Sequence, residues 1–276
     1  MKKIVSLLLA VMMIATLAVT FSSCAKKTDW EKIEKNGKFV CGITIYEPMN
    51  YYDTDGTTLI GFDTELAQLV AQKLGVSVEF QIIDWGNKYT ELAAGTIDCI
   101  WNGFTSNSKD ADGVERKDKV DFTHAYLDNK QCVVVKTDRL GEFTSAAALS
   151  GKKAGVETGS AGESYAQSAG ATIEASKTSQ MGVFTDLNTG AVDFIVVDML
   201  LADAIVGQGD FAGLSKVSAI DIEPEVYSIG CRKDSDFDEK INAALIELLN
   251  EGKIEELAAK YGVRVTDSLM AMKTAQ

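Results

Sequence analysis

Polar residues at the ends of two apolar, strand-like segments are the first candidates for chemistry. Asn102, Gly103 and Thr105 follow the apolar run that ends at Trp101, and Asp198 ends the apolar run of residues 194–197. Ligands of open α/β sheets bind beyond the carboxyl ends of the strands, so a site is expected where these ends meet. A charge at the end of a buried strand needs a partner. The alternative for Asp198 is an ordinary cap of the next helix.

The motifs of common enzyme classes are absent from the sequence. It has no Gly-x-Ser-x-Gly, His-Glu-x-x-His, P-loop or Gly-x-Gly-x-x-Gly pattern. His124 is the only histidine and follows Phe122 in a polar segment, where a solvated side chain is the simpler interpretation. Carboxylates are plentiful, so a pair for general acid/base catalysis stays open. We predict a binding protein with no catalytic residues and no cofactor.

The charge and cysteine content narrow the class of partner. The formal net charge is −13, which argues against binding the phosphate backbone of nucleic acids. No Cys-x-x-Cys pair is present, so no metal site is predicted. Four cysteines lie in apolar, strand-like runs: Cys41, Cys99, Cys132 and Cys231. They are predicted to be small buried hydrophobes, with two disulfides as the alternative in an oxidising compartment.

The first residues have the order of a cleavable export signal. Lys2 and Lys3 precede an uncharged apolar stretch, and Ser22-Ser23 precede Cys24. A membrane-spanning helix is the alternative. The Ser-Ser-Cys ending is similar to a lipoprotein signal, which implies that Cys24 carries lipid such as palmitate. We therefore expect a signal peptide at residues 1–23 and a lipidated tether at residues 24–35.

Strand and helix patterns alternate along the rest of the chain, which predicts an α/β fold. Strands are predicted at residues 39–43, 76–83 and 97–101. Asp63 is predicted to cap a helix that ends at Gly75. Further helices are expected at residues 89–94, 237–249 and 254–261.

A weak internal repeat suggests two lobes of similar construction. Residues 92–100 and 187–195 share the pattern of a helix end, a glycine and a strand that opens with a β-branched residue and aspartate. Because helix-to-strand connections often use glycine, chance similarity is the alternative. The repeat places Gly103 and Asp198 after corresponding strands.

Four segments, in this order, resemble the extracytoplasmic solute-binding proteins of polar amino-acid ABC importers, which include glutamine- and histidine-binding proteins. The segments are Gly-Phe-Asp-Thr-Glu-Leu-Ala at 61–67, Gly-Thr-Ile-Asp-Cys-Ile-Trp-Asn-Gly-Phe-Thr at 95–105, Glu-Arg-Lys-Asp-Lys-Val-Asp-Phe at 115–122 and Leu-Asn-Glu-Gly-Lys-Ile at 249–254. The resemblance covers about residues 36–264. It implies a two-lobe periplasmic-binding-protein fold of type II, with a ligand cleft between lobes joined by two crossing strands.

The resemblance also implies the division of the chain. Lobe 1 is expected at residues 36–128 and 226–264, lobe 2 at 129–225, and a tail at 265–276. The hinge is expected near residues 128–131 and 223–226. Ligand binding then closes the lobes.

The family pattern assigns roles to several residues. It implies that Arg116 binds a ligand carboxylate. The 106–114 loop before Arg116 departs from the family, because it carries an insertion of about six residues. A solvated surface arginine is the alternative. A second carboxylate contact is implied at Gly159, Ser160 and Ala161, which open a helix. A serine cap of that helix is the compatible alternative.

The ammonium of the ligand is implied to meet Asp198, the carbonyl of Gly103 and the hydroxyl of Thr105, while Asn102 can contact either charged group. An aromatic residue is expected to cover the apolar part of the ligand. The order of preference is Tyr46, then Phe104, then Trp101, because alternation along a strand turns one of the strand-end aromatics into the core. Trp85 is expected to pack.

The resemblance therefore implies high-affinity capture of a small polar amino acid outside the cytoplasmic membrane. Delivery to an ABC permease by a lipid-anchored monomer is implied with it. The alternatives are a binding protein for another small carboxylate, or a dehydratase-like enzyme on the same fold. The sequence leaves open which amino acid is bound.

Overall fold

The structure is a computed structural model that describes residues 28–274. The predicted signal peptide and Cys24 lie outside these residues. The α-helices are α1 Asp29–Asn36, α2 Phe62–Leu74, α3 Lys88–Ala94, α4 Arg116–Lys119, α5 Ala161–Ser168, α6 Met181–Thr189, α7 Met199–Ile205, α8 Phe237–Asn250, α9 Lys253–Tyr261 and α10 Asp267–Met270. The strands are β1 Lys38–Ile43, β2 Tyr51–Tyr52, β3 Leu59–Ile60, β4 Ser77–Ile82, β5 Cys99–Ile100, β6 Asp121–Phe122, β7 Leu127–Lys136, β8 Lys153–Glu157, β9 Thr172–Lys177, β10 Phe194–Asp198, β11 Leu214–Lys216, β12 Pro224–Tyr227 and β13 Gly230–Cys231.

One sheet forms the core of the first lobe, in the order β4-β1-β5-β13-β6. Strand β1 pairs in parallel with both β4 and β5, so the carboxyl ends of β1 and β5 lie at the same edge. Strand β13 comes from the far end of the sequence and pairs antiparallel with β5 and β6. This lobe is therefore discontinuous in sequence.

A second sheet forms the other lobe, in the order β11-β7-β10-β8-β9, with β12 also paired to β7. Strands β8 and β10 are parallel neighbours, so Glu157 and Asp198 end adjacent strands at one edge. The two-lobe α/β fold is the one that the sequence predicts.

The two crossing strands are β7 and β12. They pair antiparallel, from Pro224 opposite Lys130 to Tyr227 opposite Leu127. At its start β7 bridges to Val265, and near its end it pairs with β11 of the second sheet. A strand that belongs to both lobes is a hinge element.

The internal repeat corresponds to two equivalent helix–strand units. Gly95 ends α3 and Gly190 ends α6, both in the left-handed conformation that glycine adopts without steric cost. In the first unit Asp98 Oδ2 accepts the N–H of Val40 at 3.0 Å, and in the second Asp193 Oδ2 accepts the N–H of Lys153 at 2.8 Å. Each aspartate thus fixes the strand parallel to its own.

The helix that follows Gly61 differs from the sequence prediction. It begins at Phe62, its cap residue is Gly61, and Asp63 lies inside its first turn, so the prediction that Asp63 caps it is wrong. The Asp63 carboxylate instead accepts hydrogen bonds from Tyr126 Oη and the Gly103 N–H, both at 2.8 Å. Both carboxylate oxygens of Asp63 therefore bind donors that are distant in sequence, and neither caps the backbone of the helix.

Segments beyond the predicted lobe boundaries also pack on the first lobe. In α1, which the sequence analysis assigned mainly to the tether, Trp30 stacks on Phe237 with ring centroids 6.3 Å apart, and Ile33 is buried. In α10, which was assigned to the tail, Leu269 is buried.

The cysteines of residues 28–274 are all buried, as predicted, and their thiols are free. The Sγ atoms of Cys41 and Cys99 lie 3.5 Å apart on neighbouring strands without a disulfide. Within residues 28–274, none of the helices combines the length and apolar character needed to cross a bilayer.

Candidate functional site

Arg116 is buried at the interface of the lobes and opens α4, with 1% of its side chain exposed. Its Nη1 donates to the carbonyl of Thr105 at 3.1 Å, and its Nη2 donates to the carbonyl of Gly159, in the second lobe, at 3.2 Å. With its Nε bound to Asp110, three of the five N–H groups of the guanidinium have partners. Burial contradicts the surface alternative for this residue.

The 106–114 loop leaves the first sheet after Thr105 and then returns, so that Arg116 lies beside Thr105. Lys109 and Glu115 form a β-bridge, and the Arg116 N–H donates to the carbonyl of Ser108. At the loop's turn, Asp110 accepts from Arg116 Nε at 2.8 Å, and Lys119 Nζ contacts its other oxygen at 2.9 Å. The neighbouring cations, Arg116 first, keep the pKa of Asp110 below its ordinary value although burial raises it.

Asp198 is buried at the end of β10 and does not cap α7 with its side chain. Its carboxylate accepts from the amides of Asn129, Gln131 and Gln180. Burial raises its pKa. These donors are neutral amides, and within residues 28–274 no cation forms an ion pair with this carboxylate, so a bound cation would stabilise its charged form.

A second carboxylate, which the sequence analysis missed, shares these amides. Glu225 lies on hinge strand β12, and its Oε1 accepts from Asn129 at 2.5 Å and from Gln131 at 2.7 Å. Burial first, and then the charge of Asp198, raise the pKa of Glu225 to about 7. Two carboxylates that share donors in a buried place repel each other, and a cation bound between them would favour their ionised forms.

The start of α5 has the geometry of a capped helix. Ser160 Oγ accepts from the N–H of Glu163, and the Gly159 N–H donates to the Glu163 carboxylate. The N–H groups of Ala161 and Gly162 have no partner within the helix, as at any helix start. The cap and an anion site are therefore compatible, as the sequence analysis expected.

Tyr46 lies over Gly103, where a side chain would overlap its Oη. Tyr227 covers the same glycine, and the hydroxyls of both tyrosines are buried without a hydrogen-bond partner. Gly103 itself has φ +55° and is held by Asp63. Glycine is required here because of both the positive φ and the approach of the rings.

Asn102 and Thr105 are both buried at the end of β5. The side chain of Asn102 exchanges two hydrogen bonds with Thr44, so it joins the ends of β1 and β5. Thr105 forms a β-bridge to Tyr227 and provides the carbonyl that Arg116 binds. Both residues position the strand end in this structure.

The remaining aromatic candidates are core residues. Phe104 packs edge-on against Trp85 at 5.4 Å and against Phe122 at 4.9 Å, and Trp101 belongs to the main buried cluster. The Arg116 guanidinium lies 5.2 Å from the Phe104 ring centroid, a cation–π contact. Phe104 thus supports Arg116 from within the core.

Two further buried ionisable residues were missed by the sequence analysis. Lys88 of lobe 1 donates to the carbonyl of Gly159 of lobe 2 at 2.8 Å, and burial lowers its pKa to about 7. Glu157 ends β8 with 2% of its surface exposed, and its Oε1 has no hydrogen-bond partner. Burial, followed by the charge of Asp198, raises the pKa of Glu157 well above its ordinary value.

Comparison with known proteins places this chain in a family. The sequence profile of the bacterial extracellular solute-binding proteins, family 3, matches residues 39–264. The chain belongs to this family. The arginine-binding extracellular protein ArtP of Bacillus subtilis is similar over 95% of this chain and 98% of its own length, at 27% identity. The L-cystine-binding protein TcyA of the same organism is 28% identical over 95% of this chain and 97% of its own length.

Solved structures agree with this fold assignment. A substrate-binding protein of an ABC uptake transporter from Streptococcus pneumoniae, with bound histidine, has a TM-score of 0.75 and 29% identity, covering 86% of this chain and 97% of that chain. An ancestral arginine-binding protein bound to arginine has a TM-score of 0.72 and 33% identity, covering 82% and 98%. The relatives are binding proteins for amino acids, and the prediction of a binder that is not an enzyme is confirmed.

Proposed function

We propose that this protein captures a free amino acid between its lobes outside the cytoplasmic membrane and delivers it to an ABC importer. The observation that carries the proposal is the pairing of opposite charges across the site. Arg116 is a buried arginine with two N–H groups to spare, and Asp198 is a buried carboxylate that forms no ion pair with any residue from 28 to 274. A zwitterion offers a carboxylate to the first and an ammonium to the second.

The carboxylate of the ligand binds Arg116 and the N–H groups at the start of α5. These come from different lobes, so a ligand held by both favours the closed arrangement. The ammonium binds Asp198, with Glu225 adding charge from the hinge strand. Tyr46 and Tyr227 then offer their hydroxyls or rings to the rest of the ligand.

The relatives support an amino acid as the solute. Proteins named for arginine, cystine and histidine binding are among those similar to this chain. Delivery to a permease is proposed from the same relationship, because the histidine-bound structure comes from an ABC uptake transporter. We propose that the protein acts as a monomer.

We propose that Cys24 anchors the protein to the membrane by lipid after removal of residues 1–23. This proposal depends on the sequence pattern alone. Changing Cys24 to Ser is expected to release the protein from the membrane fraction, and mass spectrometry of the mature N-terminus would detect the lipid. A variant that stays in the membrane fraction would contradict the proposal.

The test of amino-acid capture combines a ligand screen with substitutions at the two charged positions. A thermal-shift screen of the twenty amino acids and cystine identifies the ligand, because binding to the folded form raises the melting temperature. Calorimetry is then expected to show that Asp198→Asn and Arg116→Ala each lose about 1.5–3 kcal/mol of binding free energy. His124→Ala serves as a control outside the site.

The alternative of another small carboxylate solute makes a different prediction. Such a ligand has no ammonium, so Asp198→Asn would leave its affinity unchanged or increase it, whereas Arg116→Ala would still weaken binding. Recovery of the bound amino acid unchanged after incubation separates capture from a dehydratase activity.

A further inference from the structure

We infer that Glu157 selects a ligand whose side chain carries a positive charge, so that the captured amino acid is a cationic one. The inference deepens the proposed function and depends on it. The main-chain groups of the ligand are accounted for by Arg116 and Asp198. Glu157 is a further buried carboxylate at the same sheet edge as Asp198, and the proposed binding of the main-chain groups does not use it.

The position of Glu157 at the strand edge places it within the site. It ends β8, the parallel neighbour of β10, which ends at Asp198. Along β8 the side chains of Ala154 and Val156 enter the core of the second lobe, so alternation turns Glu157 to the opposite face. The ionisable groups that interact with it are Asp198, Lys88 and Arg116, all of the proposed site.

Glu157 lacks a partner for its charge. Its Oε1 is buried without a hydrogen bond, although natural proteins satisfy most buried polar atoms. Lys88 is the nearest candidate cation, but its Nζ donates to the carbonyls of Gly159 and Trp85 and forms no ion pair with Glu157. Glu157 is 2% exposed, has a hydrogen bond from the backbone of Gln180 and forms no ion pair, so a cation placed beside it would be stabilised by its carboxylate.

The charge balance of the site leads to the same class of ligand. The ammonium of a neutral amino acid meets Asp198 and Glu225, and its carboxylate meets Arg116. Lys88 is the other buried cation among the described residues, and it forms no ion pair with Glu157. Glu157 thus keeps no charge partner, and burial and the charge of Asp198 raise its pKa. A cationic side chain beside Glu157 would favour its ionised form.

The two tyrosine hydroxyls fit a polar, cationic side chain. Tyr46 Oη and Tyr227 Oη are buried without partners, and charge interactions link Tyr46 to both Asp198 and Glu157. A hydroxyl accepts from an ammonium or guanidinium with its lone pairs. Glu157 and the tyrosines thus form an acceptor set at the side-chain end of the ligand.

The experiment compares pairs of amino acids that differ in side-chain charge: arginine with citrulline, and lysine with norleucine. For the wild-type protein, calorimetry is expected to give a dissociation constant about tenfold or more lower for the cationic member of at least one pair. In Glu157→Gln, the affinity for that cationic ligand is expected to fall about tenfold or more, while its neutral counterpart binds as well as before or better.

A matched control is Glu225→Gln, which removes a buried carboxylate from the ammonium end. It is expected to weaken both members of the pair alike. Glu157→Leu provides a second variant of the same position with the same expected loss. Circular dichroism melting curves establish that each variant is folded.

The inference is overturned if folded Glu157→Gln keeps its affinity for the cationic ligand, or if the wild-type protein prefers the neutral member of both pairs. Binding of neutral amino acids alone would leave capture of amino acids intact and reject the cationic class. A folded wild-type protein that binds none of the tested amino acids would reject the proposed function, and the inference with it.

Discussion

At the residue scale, Asp110 and Arg116 form a unit that the loop between them creates. The loop lengthens the path from Thr105 to Arg116, yet Nη1 of the arginine lies 3.1 Å from the carbonyl of Thr105. Asp110 occupies Nε, while Nη1 donates to Thr105 and Nη2 to Gly159 of the other lobe. The loop therefore supplies the acid that orients the proposed carboxylate anchor.

This role predicts the effect of removing the acid. Asp110→Asn is expected to weaken ligand binding by about 1 kcal/mol, less than Arg116→Ala, because the guanidinium stays but loses its charged hydrogen bond. Asp112→Asn is the matched control, since Asp112 also contacts Lys119 but is exposed and does not reach Arg116. Equal effects of the two substitutions in calorimetry would show that Asp110 does not position Arg116.

The Asp198–Glu225 pair predicts a pH dependence of binding. Burial and the charge of Asp198 raise the pKa of Glu225 to about 7, and Asp198 is itself raised by burial, so near neutral pH the pair holds a shared proton. The other charges around it are Arg116 and Glu157. An ammonium favours the ionised pair and displaces the proton.

Affinity is therefore expected to be highest above the raised pKa and to fall as the pH decreases below about 7, by at most about tenfold per pH unit for one proton. Calorimetry in buffers of different ionisation enthalpy would detect the released proton. In Glu225→Gln, which removes the like charge beside Asp198, this dependence should be weaker. Affinity that rises on acidification would contradict the assignment of an ammonium to this pair.

The sequence singled out those residues of the proposed site whose position follows from a motif or a strand end. Arg116 and Asp198 belong to this group, and both are buried where the lobes meet. Glu225 could not be found, because its neighbours Asn129 and Gln131 come from another strand and depend on the register of β7 with β12. Glu157 carried a weak signal, since it lies two residues before Gly159, but only its place at the end of β8 and its burial identify it.

At the element scale, the repeated helix–strand unit is the construction principle of both lobes. Asp98 and Asp193 each accept a backbone N–H from the neighbouring strand and an arginine, Arg232 or Arg139 respectively. The repeat indicated the glycine turn and the strand. The arginines come from unrelated parts of the chain, so no local pattern could predict them.

The equivalent hydrogen bonds of Asp98 and Asp193 predict similar losses of stability when either aspartate is removed. Asp98→Ala and Asp193→Ala each remove a charged, partly buried acceptor, and each is expected to cost about 1.5–3 kcal/mol of unfolding free energy, which lowers the melting temperature by about 2–4 °C per kcal/mol. Ligand affinity should be unchanged, because neither residue belongs to the site. Asp138→Ala, at an exposed position, is the control. A large loss for one aspartate alone would show that the units are not equivalent.

At the scale of the whole molecule, the lobes meet through few polar contacts. Lys88 and Arg116 both donate to the carbonyl of Gly159, and Ser164 Oγ donates to the carbonyl of Lys109 at 3.2 Å. The hinge strands β7 and β12 connect the lobes covalently. Such polar contacts favour closure without fixing it, which is consistent with the proposed release of the ligand to a permease.

Substitution of Lys88 tests lobe closure, because Lys88 joins the lobes but is not one of the residues proposed to bind the carboxylate or ammonium of the ligand. Its ammonium lies 4.6 Å from the ring centroid of Tyr89 and 5.0 Å from that of Trp85, and it reaches the second lobe only when the lobes meet. Lys88→Met keeps the apolar stem and removes the donor. Because this contact forms after encounter, the substitution is expected to raise the dissociation rate about three- to tenfold with little change in the association rate.

Stopped-flow tryptophan fluorescence gives both rates, and small-angle scattering gives the fraction of closed protein at saturating ligand. Lys109→Met is the matched control, because its ammonium pairs with Glu115 at the surface while its backbone carbonyl keeps the bond to Ser164. A slower association rate with an unchanged dissociation rate would mean that Lys88 steers the ligand into an open site. In that case the closed state would depend on the ligand and on the other contacts between the lobes, those of Arg116 and Ser164 among them.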